Sequence, residues 1–289
     1  MLTLTFLGVG SAFAKRNFQS NALIEAWTSG PHDQSAPDHA LLIDFGATGP
    51  LALCELKGRP EFSYLDDGGA IRYAAIRGVF LTHAHADHIG GLEELAWMSR
   101  WARGRESRPE LISTAEVLEK VWSQSLFGGL GVMPGRETTI EDFFAPRQLV
   151  PLDRAGCNSF SMMGRYELYP IRTDHVQIHQ KYDWPSLGVL LLDKQTSQSA
   201  LFSGDTRFDP KGLRKYWQES KIIFHEVQLE AQENPVHTLI TDLQGLAPDI
   251  KRKMWLYHFG DTWDRPEFTF VQRDFAGFAK PHYRYTLFS

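Results

Sequence analysis

Residues 81–91 read LTHAHADHIGG, which places His83, His85, Asp87 and His88 directly behind the apolar run VFL (79–81) and just ahead of two glycines. Histidine and aspartate are poor strand formers and are rarely buried without partners, so folding alone does not account for the cluster. In an extended segment side chains alternate, which sends His83, His85 and Asp87 to one side. The turn implied by Gly90 and Gly91 then brings His88 to a neighbouring point. Imidazole and carboxylate donors suit zinc, manganese or iron, and no cysteine is offered for a soft-metal or iron–sulfur site. The stretch predicts a metal site on a loop that leaves a core strand.

If one strand end carries ligands, others should as well. LTLTFLGVG (2–10), NALIEAW (21–27), ALLIDFG (40–46) and IRGVFLTH (76–83) read as strands broken by glycine-bearing turns. GLEELAWMSRWA (91–102) and TAEVLEKVWSQ (114–124) have helical spacing, and the glycine-rich FGGLGVMPGRETTIEDFFAP (127–146) reads as a long surface loop or flap. The second half repeats this style, with strands at 166–175, 186–193, 199–206, 221–227 and 253–260 and a helix at 237–253 interrupted by Pro248. Three of these strands end in a ligand type: His175 in TDH, Asp205 in SGDT and His258 in LYHF. One domain of two similar halves, residues 1–289, fits this pattern better than two independent domains, with loop insertions at 29–39, 55–75 and 127–146.

The chain has 289 residues, 43% of them hydrophobic, enough for a substantial core. Its longest apolar runs are too short to cross a bilayer, and no basic region precedes the apolar N-terminal stretch, so it reads as soluble, unexported and cytoplasmic. Cys54 and Cys157 lack metal-knuckle spacing and read as two buried, reduced thiols. A formal net charge of −5 with no long basic block argues against a protein built to coat nucleic acid, since phosphate neutralisation supplies most of that affinity. The one local exception, RWARGRESR (100–108) with Arg100, Arg103, Arg105 and Arg108, reads as a solvated helix end and loop.

HAHADH, followed in order by His175, SGDT and LYHF, resembles the metallo-β-lactamase superfamily over nearly the whole chain. The resemblance implies a four-layer αββα sandwich and a binuclear site. His83, His85 and His175 would hold one metal, Asp87, His88 and His258 the other, and Asp205 would bridge them. The implied cofactors are two divalent ions, zinc first and manganese second. Hydrolysis is the expected reaction, because paired ions stabilise charge on a phosphodiester or carbonyl group and activate water. A drug-cleaving relative usually carries a signal peptide and a cysteine or histidine in place of the bridging aspartate.

Further detail resembles the phosphodiesterase branch that contains the tRNA 3′-processing endonuclease RNase Z. The pairs His225-Glu226 and His237-Thr238 match that branch, while Val227 and Gln228 depart from it. By resemblance His237 is the general acid, Glu226 holds its ring, and Asp87 joins the catalytic set as well as the ligands. His225 reads as structural, and His32, His39, His179 and His282 read as surface residues.

The opening FLGVGSAFAKRNFQSNALIEA and the short path from HAHADH to the end of the chain resemble anti-Pycsar-type cyclic nucleotide phosphodiesterases. That implies a small nucleotide substrate, conversion of 3′,5′-cyclic nucleotides to 5′-monophosphates, a homodimer, and no membrane or stable nucleic-acid partner. RNase Z-like tRNA processing is the alternative, and hydrolysis of a carboxylic ester or lactone a further one. Phe143, Phe144, Tyr182, Trp184 and Trp263, placed on loops, are the aromatic candidates for stacking on a base.

Overall fold

The computed structural model describes residues 1–31, 36–101, 108–178, 182–233 and 235–289. His32, Arg103, Arg105 and His179 lie outside the described residues, as does the side chain of Tyr182. The chain divides into two compact units, one of Met1–Gly8, Gln19–Leu149 and His282–Ser289, the other of Val9–Phe18 and Val150–Pro281.

The first unit is built on a seven-stranded sheet. Its strand order is Ala145–Leu149, Glu110–Thr114, Gly78–Phe80, His39–Ile43, Asn21–Ala26, Leu2–Gly8 and Arg284–Phe288. The first four strands run parallel to one another, and the remaining pairings are antiparallel. Leu2–Gly8, Asn21–Ala26 and His39–Ile43 are buried along their whole length, as strands with both faces covered must be. Burying each Leu or Ile of such strands is worth about 1.5–3 kcal/mol. The helix Gly49–Lys57 packs on Leu2–Gly8, and Ala115–Val121 packs on the strand Glu110–Thr114 that precedes it.

The second unit has its own seven-stranded sheet. The order is Phe160–Met162, Tyr166–Thr173, Ser186–Asp193, Gln198–Phe202, Ser220–Glu226, Met254–Tyr257 and Gly277–Phe278. Here the first three pairings are antiparallel and the last three parallel, so each sheet switches once between the two modes. The helix Pro210–Glu219 lies over Gln198–Phe202 and Ser220–Glu226, burying Leu213 and Trp217 one turn apart.

Several expectations change in the structure. Residues 127–146 are not a loop: they form the helix Phe127–Leu130, a short hairpin, the helical turn Ile140–Asp142 and the first two residues of the strand Ala145–Leu149. Pro146 is tolerated in that strand because it is the edge of its sheet, where a missing donor costs little. Phe143 and Phe144 are therefore core residues and are not available to a base, with Trp97 edge-on to Phe143. Trp184 and Trp263 are half-buried, and Trp263 is packed against Phe259 and Phe278.

The cysteines are exposed and not buried. Cys54 lies on the outer side of a helix whose inner side is Ala52, Leu53 and Leu56, and Cys157 sits in an exposed turn. His39 is buried instead of exposed because it opens a fully buried strand, and His282 is half-buried. His225 is structural as expected: it is buried beside the Trp217 ring, and its Nδ1 donates to the Glu226 carbonyl. The single helix expected over 237–253 is two short ones, Ile240–Gln244 and Pro248–Lys251, with Gly245 ending the first and Pro248 starting the second.

The histidine-rich loop is also built differently from the expectation. Strand geometry ends at Phe80, and Asp87 and His88 lie on one helical turn, Ala86–Ile89, entered from an extended His85. Helical geometry, and not a glycine turn, brings His88 beside Asp87. The glycines serve close approach. A Cβ at Gly46 would lie 1.8 Å from the Asp87 carbonyl oxygen, and one at Gly91 2.8 Å from that of Gly46. Gly46→Ala should therefore push the Ala86–Ile89 turn outward and destabilise the protein by about 1–3 kcal/mol or more. Gly128→Ala, where a Cβ meets nothing within 4 Å, should be neutral. Thermal denaturation of the two variants beside wild type checks the contrast.

Candidate metal centre

Each unit gathers its share of the candidate ligands at the carboxyl ends of its strands, the end where open α/β sheets bind their ligands. In the first unit His83, Asp87 and His88 are buried and His85 is half-buried. Beneath them lies Asp44, a buried aspartate that ends the strand His39–Ile43 in a left-handed backbone conformation with φ of 58°. Its carboxylate accepts from the Thr82 amide at 2.8 Å, from the Thr82 hydroxyl at 2.7 Å and from His88 Nδ1 at 2.7 Å.

Proton counting along this chain fixes the rings. Thr82 has one hydroxyl proton and spends it on Asp44, so at 2.9 Å it accepts from His83 Nδ1. With both Nδ1 atoms protonated, Nε2 of His83 and of His88 is the atom that could hold a metal, the usual way an outer partner orients a metal-binding imidazole. His83 Nε2 lies 2.9 Å from His85 Nδ1, and His88 Nε2 lies 3.2 Å from Asp87 Oδ2. Two donors bound to one tetrahedral ion at about 2.1 Å stand roughly 3.4 Å apart, so these slightly shorter spacings suit donors that converge on a shared cation. Burial pushes the Asp44 carboxyl up, and His88 beside it pulls it back.

In the second unit the centre is Asp205. Its Oδ2 lies 3.5 Å from His258 Nε2, 3.9 Å from His175 Nε2 and 3.8 Å from His237 Nδ1. His175 donates Nδ1–H to the Val236 carbonyl at 2.8 Å, which again leaves Nε2 to ligate. Burial holds the His175 imidazole below its ordinary value, against the pull of Asp205, so the ring is in the neutral form that a metal needs. Glu226, His237 and His258 also present donor atoms within 4.8 Å of one another.

Glu226 is fully buried at the end of its strand, and its Oε1 accepts from the backbone amides of Thr206 and Thr238. The same oxygen lies 3.4 Å from His237 Nδ1. The Thr238 amide thus pins the segment that carries His237, two residues ahead of the Leu239 cap and not inside the helix. His237 keeps 22% of its side chain exposed, against 3% or less for His175, Asp205 and His258 as residues, so it is the accessible group of this set.

The structure therefore brings together His83, His85, Asp87 and His88 in one unit, and His175, Asp205, Glu226, His237 and His258 in the other. Asp44 is the functional residue that sequence reasoning passed over. Its signal was present, since ALLIDFG is an apolar strand that ends in a carboxylate, the pattern that picked out Asp205.

Two seven-stranded sheets with histidine and aspartate donors at their strand ends are the architecture of the metallo-β-lactamase fold, and the protein is a metal-dependent hydrolase of that fold. The chain belongs to the Anti-Pycsar protein Apyc1 family, whose model matches residues 2–285. It is 32% identical to the Anti-Pycsar protein Apyc1 of Paenibacillus sp. (strain J14) over 262 residues, 90% of each chain. Among solved structures it is similar in fold to unliganded yeast PDE1, with a TM-score of 0.69 and 13% identity over 98% of each chain. It is likewise similar to human tRNase Z, short form, with a TM-score of 0.63 and 16% identity over 99% of this chain and 100% of that one.

Asp44→Asn retains a residue type that accepts the left-handed backbone but removes the charge that orders His83 and His88. It should fold, yet bind divalent metal about 10–100-fold more weakly. Competition with a chromophoric chelator, alongside circular dichroism, measures both halves of this expectation.

Proposed function

We propose that the chain is a binuclear phosphodiesterase that hydrolyses 3′,5′-cyclic nucleotides to 5′-monophosphates, with both units working as one catalytic domain. The observation that carries this reading is Asp205, a buried carboxylate with three imidazoles within 4 Å of one oxygen. On this reading His83, His85 and His175 hold one ion, Asp87, His88 and His258 hold the other, and Asp205 serves both. Zinc suits these imidazole-rich sets best, and manganese is the second choice. Bound there, the ions supply Lewis acidity toward the phosphate and activate water for attack.

The remaining chemistry falls to side chains of the second unit. His237, the accessible imidazole, meets the departing oxygen and gives it a proton. Glu226 holds His237 through Nδ1, while the Thr206 and Thr238 amides keep the carboxylate in place. Opening at the 3′ oxygen leaves the phosphate on the 5′ carbon. Anti-Pycsar membership and a net charge of −5 favour a small cyclic nucleotide, whose phosphate reaches paired cations without an extended basic surface. The enzyme acts as a homodimer in the cytoplasm on this reading. Among the described residues no helix is long and apolar enough to cross a membrane.

Chromatography of products from purine and pyrimidine 3′,5′-cyclic nucleotides, run beside a labelled 3′-extended tRNA precursor, tests the substrate. The expected outcome is 5′-monophosphates from the cyclic nucleotides and a precursor left mostly intact. Efficient trimming of the precursor with untouched cyclic nucleotides would overturn the reading. His237→Ala should keep its metal and lose about 10²–10⁴ in turnover if the ring donates the proton. Metal content falling together with rate would make His237 a structural residue.

A further inference from the structure

The first unit contains a cavity of about 740 Å³ that the proposed chemistry does not use. It opens where the parallel strands His39–Ile43, Gly78–Phe80, Glu110–Thr114 and Ala145–Leu149 begin, while the histidine-rich loop leaves the other end of Gly78–Phe80. Among its lining residues are three arginines, Arg77, Arg108 and Arg147. A buried glutamate, Glu110, organises two of them: it accepts from Arg77 Nε at 3.1 Å and from Arg147 Nε at 2.8 Å.

Both contacts use the inner Nε of the guanidinium. The terminal nitrogens of Arg77 and Arg147, on side chains 62% and 57% exposed, make no hydrogen bond among the described residues. Two guanidiniums that line the cavity are thus held at Nε by one carboxylate, which leaves their terminal donors to a ligand. Arg108, which donates to the Glu141 carbonyl, adds a third. Three guanidiniums face two carboxylates, Glu110 and Asp38, and Asp38 is occupied by the Thr28 amide. Burial holds the His39 imidazole down to about 4, so the positive charge of the cavity at neutral pH comes from the arginines alone.

We propose that this cavity is a second binding site, separate from the metal ligands, for a phosphomonoester carried on a small organic body. Three guanidiniums match the three terminal oxygens of a phosphomonoester better than the two of a carboxylate. The volume falls within the roughly 300–1,000 Å³ of small-molecule sites and exceeds what inorganic phosphate fills. Apolar wall from Pro37, Ala40 and Ile76 gives the organic body a surface to pack on.

Calorimetric titration of the metal-loaded enzyme with 5′-AMP, ribose 5-phosphate, inorganic phosphate and adenosine tests the site. Two binding events are expected for at least one organic phosphate, with inorganic phosphate weaker and adenosine silent. Preference for 5′-AMP over ribose 5-phosphate would identify a nucleotide as the source, and equal binding a sugar phosphate. R77Q/R147Q should abolish one event and leave the other. Because that change strands the buried Glu110, R77K/R147K serves as the variant that keeps cations beside it while losing the fork. It should weaken the same event roughly tenfold. A single event in wild type, or two events unchanged in the folded lysine variant, overturns the proposal.

Discussion

The hydrogen-bonded chain from His83 through Thr82 to Asp44 and back to His88 is the interaction on which the first unit's ligand loop depends. Neighbouring imidazoles repel when charged and pack poorly when misoriented, so the three imidazoles of this short loop need an internal rule for which nitrogen carries the proton. Asp44 supplies it by accepting three hydrogen bonds, one of them from the Thr82 hydroxyl, whose oxygen is thereby left to accept from His83 Nδ1. The cost is a buried carboxylate, offset by those same donors. Its left-handed backbone is one that aspartate adopts more readily than most residues, and Gly46 two positions on admits the Asp87 carbonyl against the turn.

The second unit solves the same problem with different parts. His175 is oriented by a backbone carbonyl and not by a carboxylate, and Asp205 lies within 4 Å of three imidazoles. Glu226 takes the role that Asp44 has in the first unit, but it spends its oxygen on two backbone amides and serves a ring that stays accessible. The buried imidazoles of this unit are His175 and His258, while His237 keeps part of its ring exposed.

How much of this was legible depended on whether a residue's role is written in local pattern. HAHADH, SGDT and LYHF each end an apolar run in a donor, and that contrast survives in sequence whatever the tertiary context. The edge strand Ala145–Leu149 did not show because it contains proline and glutamine, which only an edge position tolerates. The helix Pro210–Glu219 buries only Leu213 and Trp217, a stripe too narrow to stand out among its charges, although Asp209 capping Lys211 and Gly212 ahead of Pro210 is a start signal that could have been read. Cys54, His39 and Phe143 were misplaced for a related reason: burial belongs to the face of an element, and residue type predicts it poorly when the element itself is unrecognised.

The switch within each sheet explains why function collects at one end of the strands. Parallel strands share a direction, so their carboxyl ends line up, and every loop leaving them starts from the same edge. In the first unit His39–Ile43 and Gly78–Phe80 deliver Asp44 and the histidine-rich loop to that edge. In the second, Gln198–Phe202, Ser220–Glu226 and Met254–Tyr257 deliver Asp205, Glu226 and His258. The antiparallel strands contribute less, His175 being the exception that follows Tyr166–Thr173. The amino ends of the parallel strands are then left without catalytic duty. That is where Glu110 holds Arg77 and Arg147, and a buried carboxylate that holds two exposed cations is hard to explain as packing when a leucine would fill the same space without the desolvation cost.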